Sequence, residues 1–433
     1  MDTNDSLDLL SLRSRYVSPG IPLSHPIVIE RGENELLYDT EGRRYIDFTS
    51  GIGVTNLGHA NPELVEAALE QLRKLWHICA HIASYPSYLL LAKMLAERIP
   101  ISGEKMVAFF NSGAEATENA AKIVRQVLGR PYIVSFIGGF HGRTSLALAM
   151  TGKYKPYKIG FEPLTPGVVH APYPYCYRLP GSSEDECLET ILAVLEEILE
   201  VALSPDVVAG IIVEPVQGEG GFIVPPRRFL SELERIARRN SIPLIVDEVQ
   251  TGYCRTGRFL AFEHFGIDPD IVTLGKAIAN GLPLSAVVGR QELLGKVRPG
   301  SIGGTYGGNP VSAAVAIKVL EIIEKQRICE RAAKLGKMMM DRLDEITNRY
   351  DVVGEHRGLG VMRAIELVKN RSTKEPNPGL ASRVIEEARK RGLLLIKAGY
   401  YGNVIRLHPP LTIREEYLLK GLDILEESLR AAL

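Results

Sequence analysis

Between about residues 61 and 317 the chain alternates short apolar runs with amphipathic helical patterns, and this alternation constrains the fold more than any other feature. Helical patterns such as Glu115–Leu128 and Pro226–Arg239 lie between several of the runs. The apolar runs are Met106–Phe110, Tyr132–Phe136, Val207–Val213, Leu244–Val246 and Ile271–Leu274. Strands that alternate with helices at this spacing predict a mostly parallel sheet covered on both faces. We therefore predict an α/β protein whose large domain spans residues 61–317.

The rest of the chain predicts a smaller α+β domain over residues 318–433. The helical pattern Pro310–Tyr350 leads into this domain, which also has the helical patterns Ser382–Arg391 and Glu415–Ala432. Its strand patterns are Gly354–Glu366 and Val404–Leu407. A length of 433 residues exceeds what one hydrophobic core usually organises. We expect residues 1–60, which contain the strand-like segment Ile27–Phe48, to pack with this smaller domain.

Composition and charge exclude several classes of partner. The chain has 51 basic and 52 acidic side chains, a formal net charge of −1, and therefore no global field that would attract nucleic acid or an anionic membrane. The run Val207–Val213 is much shorter than the roughly 20 residues of a membrane-spanning helix. The N-terminus, Met1–Asp5, is acidic and polar, whereas a secretory signal would begin basic and continue apolar. We therefore expect a cytoplasmic protein.

The cysteines predict neither a disulfide scaffold nor a metal site. They are five in number, far apart, and without a C-x-x-C pair: Cys79, Cys176, Cys187, Cys254 and Cys329. Such a pattern favours reduced, mostly buried thiols, and we predict no bound metal.

Polar and glycine residues follow each of the five apolar runs. These segments are Asn111–Ala116, Gly138–Arg143, Glu214–Gly221, Asp247–Gln250 and Gly275-Lys276. In an open α/β sheet, ligands bind outside the carboxyl ends of the strands. We therefore expect these segments to meet at one edge of the sheet and to form the functional site.

Ser112-Gly113-Ala114 begins one of the predicted helices. Free backbone N–H groups at a helix N-terminus bind anions such as phosphate, and a glycine there lets the anion approach the backbone. Taken alone, the same residues are better explained as a simple helix cap, with Glu115 and Glu118 in the first turn.

Asp247 and Lys276 each end an apolar strand. A carboxylate at such a place needs a partner to offset its desolvation, and a protonated pyridine nitrogen is one. A lysine at a cramped, partly desolvated site is a candidate for forming an imine, because desolvation lowers the pKa of its amine. Each residue alone is also compatible with a structural ion pair or a surface lysine. Their coincidence with the phosphate-type turn favours a pyridoxal 5′-phosphate (PLP) site.

With these residues together, the chain resembles the class III (ω-amino acid) aminotransferases of PLP fold type I over nearly its whole length. The matching segments beyond those named above are Gly51-Ile52-Gly53, Gly58-His59, Arg255-Thr256-Gly257, Gly304-Thr305-Tyr306 and Ile405-Arg406-Leu407. The run from Asp247 through Lys276 is highly specific for that family.

The resemblance implies a set of cofactor-binding residues. They are Ser112, Gly113, Ala114, Phe140, His141, Val249, Gln250, Lys276 and Thr305. Lys276 would hold PLP as a Schiff base and move the proton during catalysis, and Asp247 would pair with the ring nitrogen. Thr305 would reach the phosphate of a neighbouring subunit, which implies a homodimer or a higher oligomer. We expect Glu214, which also matches, to orient His141 or Gln250.

The resemblance also implies the substrate contacts. Arg406 would bind the α-carboxylate of glutamate, Arg143 the distal carboxylate, and Ile52 would pack the substrate stem. Planar arginines are suited to binding carboxylates through two hydrogen bonds. An ω-amine donor has no α-carboxylate beside Arg406, so a mobile carboxylate, Glu219, would neutralise that arginine.

The sequence thus predicts transamination of an ω-amino acid of the 4-aminobutyrate type with 2-oxoglutarate. The partners would be a small-molecule amino donor and a 2-oxo acid acceptor. Ornithine δ-transamination and amino-acid racemisation remain open alternatives, because they use the same lysine and aspartate. A PLP-fold protein that binds without turnover is the alternative from a different class, and the intact Lys276 and Asp247 argue against it.

Overall fold

The computed structural model of the protein describes residues 8–179 and 183–433. The acidic N-terminal stretch Met1–Asp5 therefore lies outside the described residues.

The strands form three sheets. In chain order they are β1 (Ile29–Glu33), β2 (Leu36–Asp39), β3 (Arg44–Asp47), β4 (Lys105–Phe110), β5 (Tyr132–Phe136), β6 (Val168–Ala171), β7 (Val208–Val213), β8 (Leu244–Asp247), β9 (Ile271–Leu274), β10 (Ser285–Arg290), β11 (Val353–Leu359), β12 (Met362–Leu367), β13 (Leu393–Leu394), β14 (Ile396–Ala398) and β15 (Val404–Leu407). The seven-stranded sheet has the order β4-β10-β9-β8-β7-β5-β6, and the two four-stranded sheets have the orders β1-β2-β3-β13 and β11-β12-β15-β14.

The helices surround these sheets. They are α1 (Leu9–Tyr16), the one-turn segment α2 (Ser50–Gly53), α3 (Pro62–Lys74), α4 (Pro86–Arg98), α5 (Gly113–Leu128), α6 (Ser145–Met150), α7 (Glu184–Glu197), α8 (Phe229–Arg239), α9 (Gln291–Leu294), α10 (Pro310–Lys325), α11 (Ile328–Arg349), α12 (Pro378–Lys390) and α13 (Glu415–Ala432).

The seven-stranded sheet confirms the predicted α/β class. All five predicted runs are strands of this sheet, and β5, β6, β7, β8 and β9 are joined by parallel pairs. The strand β10, which the sequence analysis did not predict, lies antiparallel between β4 and β9. The apolar residues of this strand, Ala286–Val288, form a run of only three before Gly289, which is too short to predict a strand.

Each face of this sheet packs on helices because successive residues of a strand point to opposite sides. In β8, Ile245 joins the cluster that contains Ala120 and Ile123 of α5. Its neighbours Leu244 and Val246 join the larger cluster, which contains the apolar side of α8. The sheet is therefore buried on both faces, which explains why its strands are continuously apolar.

The two smaller sheets combine segments that are distant in the chain. Strand β3, near the N-terminus, pairs in parallel with β13, so that Ile46 lies opposite Leu393. Strand β15 lies between β12 and β14 in an antiparallel sheet. The division into residues 1–60, 61–317 and 318–433 stays a prediction, and its second boundary falls inside helix α10.

The prediction that all the cysteines are reduced thiols is wrong. Cys176 is bonded to Cys187 and Cys254 to Cys329, with Cα–Cα distances of 5.6 and 4.5 Å, while Cys79 is free. Disulfide bonding depends on the separation and direction of two side chains in space. Spacing along the chain does not reveal this, because Cys254 and Cys329 are 75 positions apart.

Among the described residues, no helix combines the length and the apolar character that crossing a membrane would require.

The Cys254–Cys329 disulfide is expected to stabilise the protein. Closing a loop of 75 residues restricts the unfolded chain, so reduction should lower the free energy of unfolding by about 4 kcal/mol. Thermal unfolding with and without reductant measures this, and peptide mapping of the unreduced protein identifies the bonded pairs. A Cys79→Ser variant, which changes the free thiol, should respond to reductant as the wild type does. An unchanged unfolding temperature, or free thiols at both positions, would contradict the prediction.

Candidate active site

The carboxylate of Asp247 lies at the carboxyl end of β8 and is only 4% exposed. Its Oδ2 atom lies 2.8 Å from Nδ1 of His141. Its Oδ1 atom accepts hydrogen bonds from the Val249 N–H at 3.0 Å and the Thr273 hydroxyl at 3.2 Å. A buried carboxylate needs such partners to offset its desolvation. These contacts hold Asp247 in one orientation at the predicted edge of the sheet.

Lys276 follows the next strand, β9, and is half-buried. Burial lowers the pKa of its amine, while the negative charge of Glu219 raises it and the positive charge of Arg406 lowers it. Its φ of +46° lies in the left-handed region, which residues other than glycine seldom adopt. Strained backbone of this kind persists where the surrounding structure enforces it, and it clusters at functional sites. The lowered pKa and the unusual backbone are both features that occur at functional sites.

Helix α5 begins at the edge of the same sheet with a capping box. The Ser112 hydroxyl oxygen accepts from the Glu115 N–H at 3.2 Å, and the Glu115 carboxylate accepts from the Ser112 N–H at 2.8 Å. The predicted alternative, a capped helix, is therefore present. It leaves the N–H groups of Gly113 and Ala114, which have no intrahelical acceptor, for an anion.

Val249 brings three strand ends together by packing against two glycines. A Cβ atom at Gly113 would lie 2.6 Å from Cγ1 of Val249, so only glycine fits there. A Cβ atom at Gly275 would lie 3.2 Å from the same methyl carbon and 3.5 Å from Cα of Gly113. The turn that opens α5, the segment after β8 and the residue before Lys276 therefore converge, as predicted.

Glu214 joins two further loops at this edge. Its Oε1 atom accepts from the Phe140 N–H at 2.7 Å, and its Oε2 atom accepts from the Gly218 N–H at 2.8 Å. Within the described residues Glu214 forms no hydrogen bond to His141 or Gln250, so the expectation that it orients one of them stays a prediction. Burial raises the pKa of Glu214 to about 7, and the nearby charge of Asp247 adds to this.

Aromatic rings line the side of the site near Phe140. The ring of Tyr157 lies 4.9 Å from that of Phe140. The exposed guanidinium of Arg143 lies 5.3 Å from the Tyr157 ring and 5.7 Å from the Phe140 ring. Among residues 8–179 and 183–433, no carboxylate forms a salt bridge with Arg143, which leaves it able to bind an anionic substrate group.

Arg406 is paired with Glu219 inside the protein. The arginine is 2% exposed, and its Nη1 atom lies 2.5 Å from Oε1 of Glu219. The Tyr157 hydroxyl donates to the other carboxylate oxygen, Oε2, at 3.1 Å. The structure therefore brings together the two residues that the sequence analysis expected to form a switch.

The loop that carries Glu219 is attached to the β11-β12-β15-β14 sheet. The Gly399 N–H donates to the backbone oxygen of Glu219 at 3.1 Å. Nε of Arg357 donates to the backbone oxygen of Gly221 at 2.9 Å, and the same guanidinium is paired with Glu366 at 2.6 Å. These contacts hold the backbone of the loop and do not involve the carboxylate of Glu219.

Ile52 and Thr305 are both exposed in turns of the chain. Ile52 is 41% exposed and belongs to α2, a turn whose residues all have positive φ, from 47° at Ser50 to 74° at Gly53. Thr305 is exposed in a turn before α10. Neither forms a hydrogen bond to the Asp247 cluster within the described parts of the chain.

The residues present fit a PLP molecule. Asp247 offers a carboxylate for a ring nitrogen, and Lys276 offers an amine of lowered pKa. Gln250 is buried at the same place, and its Oε1 atom has no hydrogen-bond partner among the described residues. An unsatisfied amide is costly unless a ligand completes it, and the phenolic oxygen of PLP would do so. The free N–H groups that open α5 suit the phosphate.

Sequence analysis missed Tyr157 and Arg357. Tyr157 lies in the irregular segment between α6 and β6, where no periodicity marks a functional residue. Arg357 lies in strand β11, 136 positions from Gly221. Only the folded chain brings these side chains to the loop of Glu219.

The raised pKa of Glu214 predicts a specific dependence of stability on pH. The folded state holds this proton more tightly than the unfolded state, so stability decreases as the pH rises from about 4.5 to about 7. A shift from 4.5 to about 7 corresponds to a contribution on the order of 3 kcal/mol. Glu214→Gln should remove that contribution, which urea unfolding at pH 5 and pH 8 measures. The exposed Glu292→Gln serves as the control, and an identical pH dependence in the Glu214 variant would refute the assignment.

Comparisons with known proteins agree with this geometry. The chain matches the aminotransferase class-III family over residues 20–429. It is 43% identical over 420 residues to the probable 4-aminobutyrate aminotransferase of Bacillus subtilis (strain 168), with 97% of this chain and 96% of that protein covered. It is also 43% identical to a 5-aminovalerate aminotransferase of Pseudomonas aeruginosa over 425 residues, with 98% of both covered.

Solved structures of aminotransferases share the fold. A Bacillus anthracis aminotransferase superposes with a TM-score of 0.92 at 31% identity, covering 100% of both chains. A PLP-bound amine transaminase from an uncultivated Pseudomonas species superposes with a TM-score of 0.89 at 31% identity, covering 94% of this chain and 95% of that one. The fold is therefore that of PLP fold type I. The chain belongs to the class-III aminotransferases, a family of enzymes that use PLP.

Proposed function

We propose that this aminotransferase moves the amino group of an ω-amino acid to 2-oxoglutarate, giving a semialdehyde and glutamate. The donor is a linear ω-amino acid of the 4-aminobutyrate or 5-aminovalerate type. The observation that supports this proposal is the buried pair of Arg406 and Glu219.

The pair solves a problem that arises when one site accepts two kinds of donor. Glutamate brings an α-carboxylate, which binds Arg406 and displaces Glu219. An ω-amino acid has only hydrogens at that position, so Arg406 would be left as an uncompensated buried charge. Such a charge is strongly destabilising, and Glu219 neutralises it. An enzyme confined to α-amino acids would have no need of this carboxylate.

Arg143 is suited to bind the distal carboxylate of either donor. It is exposed, and no carboxylate of the described residues is paired with it. Lys153 lies nearby, its Nζ atom 5.9 Å from the same Tyr157 ring that Arg143 covers. Ornithine carries an α-ammonium group beside its carboxylate, so this group would lie close to the two cations Arg143 and Lys153. The arrangement therefore favours an unsubstituted ω-amino acid over ornithine.

The two named relatives give the range of donor lengths. One is a probable 4-aminobutyrate aminotransferase and the other a 5-aminovalerate aminotransferase, at the same identity of 43%. The two donors differ by one methylene group, which an apolar pocket discriminates by only about 1–3 kcal/mol. We therefore propose that both are substrates.

PLP, when bound, supplies an electron sink that makes the proton on the amine-bearing carbon of the substrate removable. Lys276 would hold the cofactor through its side-chain amine and then take that proton, which its lowered pKa favours. Asp247, oriented by His141, would keep the ring nitrogen protonated. Phe140 and Val249 would cover the two ring faces, and Gln250 would bind the phenolic oxygen.

The phosphate would lie at the start of α5. Gly113 and Ala114 would donate their N–H groups, and Ser112 would contribute its hydroxyl if Glu115 released it. Ile52 would pack against the substrate stem.

We also propose a homodimer in which Thr305 completes the phosphate site of the partner subunit. Thr305 lies next to exposed apolar side chains: Trp76 is 72%, Ile82 80% and Tyr306 63% exposed. The ring of His77, beside Trp76, lies 5.2 Å from that of Tyr306, so these segments form one surface. Exposed apolar surface of this kind is typical of interfaces between subunits.

A cytoplasmic location stays a prediction. The two disulfides argue against it in most organisms, because cytosolic thiols are kept reduced. Proteins of hyperthermophiles are the exception, since their intracellular proteins are often rich in disulfides.

Lys276→Ala is expected to abolish attachment of PLP and to reduce turnover by at least about 10²–10⁴-fold, the usual contribution of a positioned base. Borohydride reduction followed by peptide mapping should find the cofactor on Lys276 in the wild type. The exposed Lys296→Ala is the control. A cofactor attached to another lysine would overturn the assignment.

Glu219→Gln is expected to impair the two half-reactions unequally. With 4-aminobutyrate or 5-aminovalerate, Arg406 loses its charged partner, which costs on the order of 3–5 kcal/mol. With glutamate, the α-carboxylate itself pairs with Arg406, so the loss is neutral or mildly favourable. The ratio of kcat/KM for glutamate over the ω-amino acid should therefore rise, which single-turnover rates with each donor measure.

The exposed Glu292→Gln is the matched control for this experiment and should leave the ratio unchanged. Equal losses with both donors would make Glu219 a structural residue. Chiral analysis of recovered glutamate in the same assays tests the racemase alternative, because a racemase would return both enantiomers.

A further inference from the structure

We propose that Tyr157 is a positioning residue that holds Glu219 against Arg406 and thereby sets the preference between ω-amino acid and glutamate. This inference rests on the proposed function of the Glu219–Arg406 pair. It attributes the preference between the two kinds of donor to a third residue.

The two oxygens of the Glu219 carboxylate have different partners. Oε1 is paired with Arg406 at 2.5 Å, and Oε2 accepts a hydrogen bond from the Tyr157 hydroxyl at 3.1 Å. Among residues 8–179 and 183–433, these are the only side chains bonded to this carboxylate. When the α-carboxylate of glutamate takes Arg406, Glu219 must therefore give up two partners.

Tyr157 is suited to act as a neutral donor. Burial raises the pKa of its hydroxyl above the ordinary value, and the nearby carboxylate of Glu219 raises it further. Burial alone would raise the pKa of Glu219, but Arg406 and the Tyr157 hydrogen bond lower it, so the carboxylate stays ionised. A neutral donor and an ionised acceptor form a hydrogen bond of the stronger, charge-assisted kind.

The ring of Tyr157 is fixed independently of its hydroxyl. It lies 4.9 Å from the Phe140 ring, and the Arg143 guanidinium lies 5.3 Å from its centre. The side chain of Tyr157 thus contacts Glu219 through its hydroxyl and Arg143 through its ring. Removing the hydroxyl would leave the ring contacts in place.

The backbone beneath Glu219 has its own support. The Gly399 N–H donates to the Glu219 backbone oxygen at 3.1 Å, and Lys153 Nζ donates to the Gly399 oxygen at 2.7 Å. Lys153 therefore supports the loop and leaves the carboxylate to Tyr157. The hydroxyl of Tyr157 acts on the position of the side chain, and its loss should release Glu219 without moving the loop.

The test uses Tyr157→Phe in the holoenzyme, with glutarate as the probe. Glutarate has two carboxylates and no amine, so it competes with Glu219 for Arg406 without reacting. Calorimetry should show that glutarate binds roughly 10-fold more tightly to the variant, because Glu219 then competes less well for Arg406. This factor corresponds to the lower end of the range of free energies for a hydrogen bond to a charged group. The kcat/KM ratio of glutamate over 4-aminobutyrate should rise by a similar factor. The control is Tyr154→Phe, which removes a hydroxyl from an exposed tyrosine on the same segment.

The same substitution made in the Glu219→Gln variant separates this proposal from the proposed function. In Glu219→Gln, the Tyr157→Phe substitution should no longer change glutarate affinity, because the charged acceptor is gone. Unchanged glutarate binding in Tyr157→Phe, or the same gain in both backgrounds, would overturn the role of Tyr157. Wild-type enzyme that turns over neither 4-aminobutyrate nor 5-aminovalerate would overturn the proposed function, while the glutarate measurements would still decide the role of Tyr157.

Discussion

Arg406 is a guanidinium placed on a strand in the interior of the protein, and much of the site is arranged around the need to neutralise it. A charge taken out of water this completely requires a partner, which in this structure is Glu219. The loop of Glu219 must therefore reach the strand of Arg406, and Gly399 and Arg357 hold it there. Under the proposed function a substrate carboxylate would meet the same requirement, so the charge that Glu219 neutralises in the protein would also allow a second donor to bind.

The other half of the site depends on the central sheet. Parallel strands expose their carboxyl ends at one edge, so that Asp247 and Lys276, which follow neighbouring strands, meet there. Short contacts then join the loops to each other: His141 binds Asp247, and Glu214 binds the backbone of two loops. These hydrogen bonds connect the residues that would hold the cofactor, and under the proposed function the side chain of Glu219 is the part that exchanges partners.

The positions of five strands followed directly from apolar runs, since a strand buried on both faces leaves a continuous signal. The site residues at their ends could be predicted because each strand end carries a polar or glycine segment. The cysteine pairs, the partners of Glu214 and the hydrogen bond from Tyr157 to Glu219 could not be predicted. Each depends on a contact between segments that are distant in the chain and carry no local pattern.

The sequence by itself determined the α/β class and the family, because strand periodicity and short motifs are local properties. It also predicted Asp247, Lys276, Arg406 and Glu219 as residues of the site. Only the tertiary structure decided which oxygen of a carboxylate binds which donor, and which cysteines are bonded. These outcomes depend on distances of a few ångströms between side chains from separate elements. Such distances result from packing, and packing is a property of the whole folded chain.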